Sequence, residues 1–362
     1  MDQQIRSGSY SGGVSRLFAP LPSDQLLISS LDNIPTYLFR VSDHISPGTT
    51  NPTEVCSPAF TNLQQSADLC GMKREQAADN LRDHLWWNCT SGDSIKHSCN
   101  LMSWTSSLLS ALQYAFYRHN YWNKGNEDFS DTFILIVDTR QFERGAFARD
   151  LEVMEAYKGI STGRRSLDDL YELRRSGRFY FGEYLSQGRL NFDPERVHQV
   201  TLGNLIQRGL FDINPELKDE AQWSRWAHRV NQLRFSIQKG PIDVQRSDIQ
   251  AAMNVAEAFQ PFAVPVAAML LTIGPYKLDC KAPIILKELR SRYTENNISG
   301  LLWTNIGPVA SLPELQGYKK LIDHLKQLMT IRIEDIERKS ERSRTMKADV
   351  EDLIAAVNDL NV

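Results

Sequence analysis

The chain has 362 residues, room for two ordinary domains or one large one, and its 41% apolar and 23% charged content is that of a folded globular chain rather than a disordered one. A net charge of −3 gives no global pull towards nucleic acid or an anionic membrane, so neither is expected as a partner. Cys56, Cys70, Cys89, Cys99 and Cys280 make an odd set with no Cys-x-x-Cys pair, which argues against a disulfide framework and against a structural metal site.

Residues 1–23 read as a flexible leader ending in Pro20-Leu21-Pro22. Met1 to Gly13 has no basic stretch followed by an apolar one, so no signal peptide is expected and the compartment is read as intracellular, cytoplasm or nucleus. The sequons at Asn88 and Asn297 are then chance matches. Residues 24–205 alternate strand-like and helical runs and are read as a first domain. Tyr37 to Val41 is a short strand that stops at Ser42-Asp43, and a Pro/Thr/Ser/Asn loop follows from Pro47 to Pro58. Met72 to Trp87 places Ala77, Leu81 and Leu85 at helical spacing with charges between them. Leu101 to Thr105 is a strand, and Leu108 to His119 a helix with one stripe of Leu108, Ala111, Leu112, Ala115 and Phe116. The unbroken apolar run Phe133 to Val137 predicts a strand buried on both faces. Leu167 to Arg175 is a short helix, Arg178 to Leu185 a strand before the turn at Gly188, and Val197 to Leu202 a last strand.

From residue 206 to 362 the pattern turns helical, and an all-α C-terminal domain is expected. Its helices are Glu216 to Phe235, Asp248 to Phe259, Ile284 to Tyr293, and Tyr318 to the end. The 19 uncharged residues from Ala258 to Tyr276 are interrupted by Gln260, Pro261, Pro265 and Gly274, so they read as a buried helix pair with a Pro kink, not a membrane span. The last helix carries Leu321, Leu325 and Leu328, then a charged stretch from Glu334 to Arg344, then Val350, Leu353, Val357 and Leu360. It reads either as a cap on the domain or as a surface for self-association or another partner.

Three segments carry residue types that could act together: Arg40 in Tyr-Leu-Phe-Arg-Val, Ser103 in Ser-Trp-Thr-Ser, and Glu183 in Gly-Glu-Tyr-Leu-Ser-Gln-Gly. A guanidinium is a planar fork that fits phosphate oxygens. A carboxylate stabilises an oxocarbenium-like transition state at a ribose, and a small hydroxyl can hold that carboxylate. His84, His97 and His119, with Cys99, lack metal-ligand spacing and read as surface or structural residues. Neither a nucleophile elbow, a Gly-x-Gly-x-x-Gly nor a P-loop is present, and Lys158 to Arg165 reads as a solvated basic loop.

On these motifs the sequence resembles the ADP-ribosyltransferase superfamily, in its Arg-Ser-Glu branch. It is also similar to an uncharacterised fungal domain family thought to belong there. The resemblance covers about residues 35–205. It implies an α+β class, with an ADP-ribosyltransferase-like split β-sheet core and flanking helices, and NAD⁺ as substrate. Arg40 would bind the diphosphate, the Val41 backbone the nicotinamide carboxamide, and Glu183 the ribose 2′-hydroxyl. Ser103 would position Glu183, Thr105 would support the strand, and Phe116, Tyr117 or Tyr121 would stack on nicotinamide. Trp104 stands where the family pattern has Thr, and an inward Trp would reshape the cleft. Phe181 stands two residues before Glu183, where arginine-modifying members carry Glu or Gln, so the acceptor is expected to be another group, on a protein or otherwise, or water. The second expectation keeps the fold without the chemistry, as a recognition module. The third, a tRNA 2′-phosphotransferase, would want a more basic cleft.

Overall fold

The alternation of apolar side chains builds two antiparallel sheets. The computed structural model describes residues 12–62, 67–87, 99–122, 128–160, 165–239, 242–278, 281–309 and 312–359. The sheets use β1 (Gly13–Val14), β2 (Tyr37–Asp43), β3 (Thr49–Thr50), β4 (Glu54–Cys56), β5 (Leu101–Thr105), β6 (Thr132–Asp138), β7 (Ala148–Arg149), β8 (Glu183–Gln187), β9 (Arg189–Asn191) and β10 (Val197–Thr201). The larger runs β10-β6-β2-β5-β8-β7 and the smaller β1-β9-β4-β3. With helices joined to antiparallel sheets, the class is α+β.

Strand β6 is covered on both sides, as its unbroken apolar run predicts. Ile134 and Ile136 enter one buried cluster, Leu135 and Val137 another. One register detail positions the site. Strand β2 pairs with β6 along all its residues from Tyr37 to Asp43 but meets β5 only at Phe39 opposite Thr105. Strand β5 instead pairs with β8 from Leu101 to Thr105. The sheet therefore opens between β2 and β5.

The helix Leu108–Trp122 packs on one face of this sheet, and the C-terminal helices pack on that helix. Phe39, Leu112 and Phe116 belong to the same buried cluster as Val255, Leu270, Leu289 and Leu325. The change of character near residue 206 is thus a change of element type within a continuous core. A buried ionic network ties the two parts. Arg234, on the helix Trp226–Lys239, pairs with Glu314 at 2.8 Å and donates to the Tyr180 carbonyl at 2.7 Å. Ser107 donates to the same Glu314 at 2.6 Å.

Five expectations need correction. Residues 12–23 of the supposed leader are tied down: β1 pairs with β9, and Phe18 is buried and donates its N–H to the Gly145 carbonyl. Residues 1–11 lie outside the described residues. The strand read from Arg178 begins only at Glu183, because Gly182 turns the chain with φ +69°. Leu202 starts a helix rather than ending a strand, with Thr201 as its cap. Ala258 to Tyr276 holds one α-helix, Ala263–Ile273, with every residue buried. Pro261 precedes it and Pro265 lies in its first turn, where no kink results. The stretch ends at Tyr276, whose strand Tyr276–Lys277 pairs in parallel with Ile242–Asp243, so the C-terminal region is not all-α as expected. No described helix is long and apolar enough to cross a membrane. The last helix runs Pro313–Asp359 and buries Leu315, Tyr318, Leu321, Ile322, Leu325 and Met329.

Candidate functional site

A cavity of about 440 Å³ lies where the sheet opens, and Arg40, Ser103 and Glu183 all line it. That volume suits a small organic ligand. Thr105 and Glu183 are direct cross-strand neighbours, and Ser103 shares their face because it stands two residues before Thr105. Trp104 points to the other face, where it is buried against Phe147 and donates to the Ser186 hydroxyl at 2.8 Å. Strand alternation thus turns the indole away from the Ser103 face, while Trp104 still borders the cavity with its ring 6.0 Å from the Arg40 guanidinium.

Arg40 reaches the cavity through the opening. The splay of β2 from β5 leaves the Ser103 carbonyl without a ladder partner on that side, and the Arg40 Nη1 donates to it at 2.9 Å. Its Nε donates to the Thr50 hydroxyl at 3.1 Å. Burial pulls the guanidinium down to about 10, still cationic at neutral pH. Among the described residues it has no carboxylate partner, whereas its neighbour Arg118 holds Asp43 with two bonds of 2.7 and 2.6 Å. Asp43 loses some of its preference for the charged form by burial, but Arg118 outweighs this and lowers its pKa.

Glu183 is held from a helix. The capping box of Ser166 and Asp169 starts the helix Leu167–Arg175, and Arg174 in its last turn faces inward. Arg174 Nη2 donates to Glu183 Oε1 at 3.1 Å, and Nη1 lies 2.7 Å from Oε2. The same Nη1 pairs with Asp150, a fully buried carboxylate at the start of the helix Asp150–Ala156. Burial pushes Asp150 up to about 7; Arg174 opposes the rise and the charge of Glu183 adds to it.

The positioning roles differ from the expected ones. Arg174 grips Glu183, while the Ser103 hydroxyl bonds His84 Nε2 at 2.8 Å. Thr105 donates to the Phe181 carbonyl at 2.6 Å, which fixes the turn before Glu183. Val41 also lines the cavity. Of the three ring candidates, Tyr117 and Tyr121 line it and Phe116 does not. Phe116 is fully buried and stacks on Trp223 at 4.8 Å. It stands two positions after Tyr114, about 200° round the helix from the cavity-facing side.

Tyr114 joins Tyr117 and Tyr121 on that side, and Trp87, Trp226 and Phe181 complete an aromatic wall. Tyr114 lies 5.6 Å from Trp87 and 5.4 Å from Trp226 by ring centroid. His84, read as structural, lines the cavity, with Nδ1 3.2 Å from the Cys99 sulfur. His119 is buried and stacks on Phe129 at 4.0 Å, a structural role, while His97 lies outside the described residues. Two signals were available for the residues missed. His84 continues the Ala77, Leu81 stripe, and Arg174 sits on the apolar stripe of Leu167, Leu170 and Tyr171. Among the described residues no group of His, Cys, Asp or Glu is arranged to hold a metal ion.

Residues 33–191 match a family model described as a domain of unknown function (DUF7587). The matched span begins just before β2 and ends with β9. It contains Arg40, His84, Ser103, Arg174 and Glu183, and it excludes the C-terminal helices that supply Trp226, Arg234 and Glu314. No curated protein and no solved structure matches the chain.

Proposed function

We propose that the cavity cleaves the nicotinamide–ribose bond of NAD⁺, in an ADP-ribosyltransferase-like core, and passes the ADP-ribosyl group to water or to an acceptor other than arginine. The observation that carries this reading is the meeting of Arg40, Ser103 and Glu183, from three separate strands, around one cavity. Arg40, a half-buried cation with no described carboxylate partner, suits the diphosphate. The aromatic wall of Tyr114, Tyr117 and Trp226 suits a flat cationic ring. Glu183 would stabilise positive charge as it develops on the ribose, with the Arg174 guanidinium holding the carboxylate in place. Phe181 is buried two residues before Glu183 and offers no polar atom to steer an arginine acceptor.

One observation favours the second reading, a recognition module without chemistry: both Glu183 oxygens are engaged by Arg174. Free nicotinamide after incubation with NAD⁺ separates the two. Wild type is expected to release it, and Glu183→Gln to lower the rate at least a hundredfold, in line with loss of one major electrostatic group. No release by wild type, with or without cell extract, would favour the recognition module.

A further inference from the structure

Three nucleophilic or titratable side chains stand in a row on the cavity wall: Cys99 Sγ, 3.2 Å from His84 Nδ1, and His84 Nε2, 2.8 Å from Ser103 Oγ. Each comes from a different place in the chain. His84 lies in the last turn of the helix Arg74–Leu85. Cys99 is half-buried just before β5, and Ser103 is on β5. The arrangement has the form of an activated nucleophile: a thiol, a base within hydrogen-bond reach, and a third group that orients the base.

The surroundings favour the thiolate. The charge of Arg40, which lines the same cavity, acts on Cys99, and this half-buried cation has no carboxylate partner among the described residues. A thiol beside a guanidinium and an imidazole, in contact with a cavity, is the setting in which thiolates form near neutral pH. The other described cysteines are placed in the opposite way. Burial pushes Cys56 up to about 11, with Glu54 adding to the rise, and Cys70 up to about 12, with Asp68 and Asp24 adding. Neither lines the cavity.

A His84 that takes the Cys99 proton at Nδ1 carries a proton on Nε2 before and after the transfer. A doubly protonated imidazole must donate through Nε2, so Ser103 Oγ accepts and keeps its own proton to donate into the cavity.

We propose that Cys99, paired with His84, is the reactive thiol of this cavity and an acceptor of the ADP-ribosyl group, so that the chain modifies itself on sulfur. The acceptor assignment rests on the NAD⁺-cleaving reading above; the reactivity of the thiol does not. In the transfer the Cys99 thiol gives its proton to His84 Nδ1, and the sulfur forms a bond to ribose C1′. The bond from C1′ to the pyridinium nitrogen breaks, and its electron pair leaves with neutral nicotinamide. The product is a thioglycoside on Cys99, with the diphosphate against Arg40.

The test uses the full chain in two arms. In the first, the protein is incubated with NAD⁺, released nicotinamide is measured, and the protein is digested and mapped by mass spectrometry. One ADP-ribose on Cys99 is expected, absent from Cys99→Ser and reduced at least about tenfold in His84→Gln, within the range of a lost proton acceptor. Nicotinamide release with no adduct on Cys99 overturns the acceptor assignment and leaves the Glu183 reading standing. In the second arm, with no NAD⁺ present, wild type is treated with iodoacetamide at neutral pH. Cys99 is expected to be alkylated at least about tenfold faster than Cys56. Equal rates would overturn the reactive thiol, whatever the first arm shows. This arm needs no variant, so a folding defect in His84→Gln cannot mask the result.

Discussion

Asp150 is the residue whose charge matters most for the hold on Glu183, because both carboxylates share Arg174. Its carboxyl has no exposed surface, and burial lifts its pKa to about 7 from an ordinary 3.8. The fold therefore keeps a proton that the unfolded chain has already released between about pH 4 and 7. Stability is fully present below that window and falls as the pH rises through it. Asp150→Asn stays neutral and removes this slope. Thermal midpoints taken across the window should fall for wild type relative to Asp150→Asn, and parallel curves would contradict the account. At this scale the sequence was uneven. Arg40, Ser103 and Glu183 could be found because each lies on a recognisable strand, Arg40 and Ser103 in the middle of theirs and Glu183 at the start of its own. Asp150 and Arg174 could not be paired in advance, since their contact depends on how two short helices pack beside β8. His84 and Cys99 were visible as residues but not as a pair, because 15 positions separate them.

The turn between Phe181 and Glu183 shows how an element aims a side chain. Gly182 adopts φ +69°, and a Cβ there would stand 2.5 Å from the Ser106 hydroxyl and 3.1 Å from Leu312. Gly182→Ala should destabilise the protein by about 1–3 kcal/mol, from backbone strain and this close approach. Chemical denaturation measures it, and an unchanged midpoint would show that the turn has room to relax. Strands with a plain pattern are legible to within a residue or two: β5 spans the Leu101–Thr105 that its pattern predicts, and β6 is longer than its apolar run by one residue at each end. A strand starting at Arg178 is suggested by Phe179, Tyr180 and Phe181, which are aromatic for burial reasons. Tyr180 and Phe181 pack in the core as part of the connection rather than as a strand. Phe116 was drawn into the candidate site in a similar way. Its helix is apolar on most sides, and periodicity alone does not say which side meets the sheet opening.

Across the whole molecule, the C-terminal helices complete the site as well as the core. Trp226 adds to the aromatic wall, and Arg234 with Glu314 secures the Tyr180 carbonyl beside the turn that carries Glu183. A buried pair of this kind is costly to break from one side, which makes the helical part a mechanical partner of the sheet. The sequence indicated a helical C-terminal region but not this contact, since Ser107 and Glu314 are 207 residues apart. The resemblance that suggested NAD⁺ covers only the sheet-bearing part, and the family model matches nearly the same span. The central claim is that three strands of that part form one nucleotide site. Its most direct measurement is NAD⁺ binding by calorimetry to Glu183→Gln, which should retain affinity without turnover, beside the same chain with Arg40→Met added. The account predicts that the second change weakens binding about tenfold or more, as expected for lost hydrogen bonds to a charged group. No binding by Glu183→Gln, or equal affinity in the two folded variants, would contradict it.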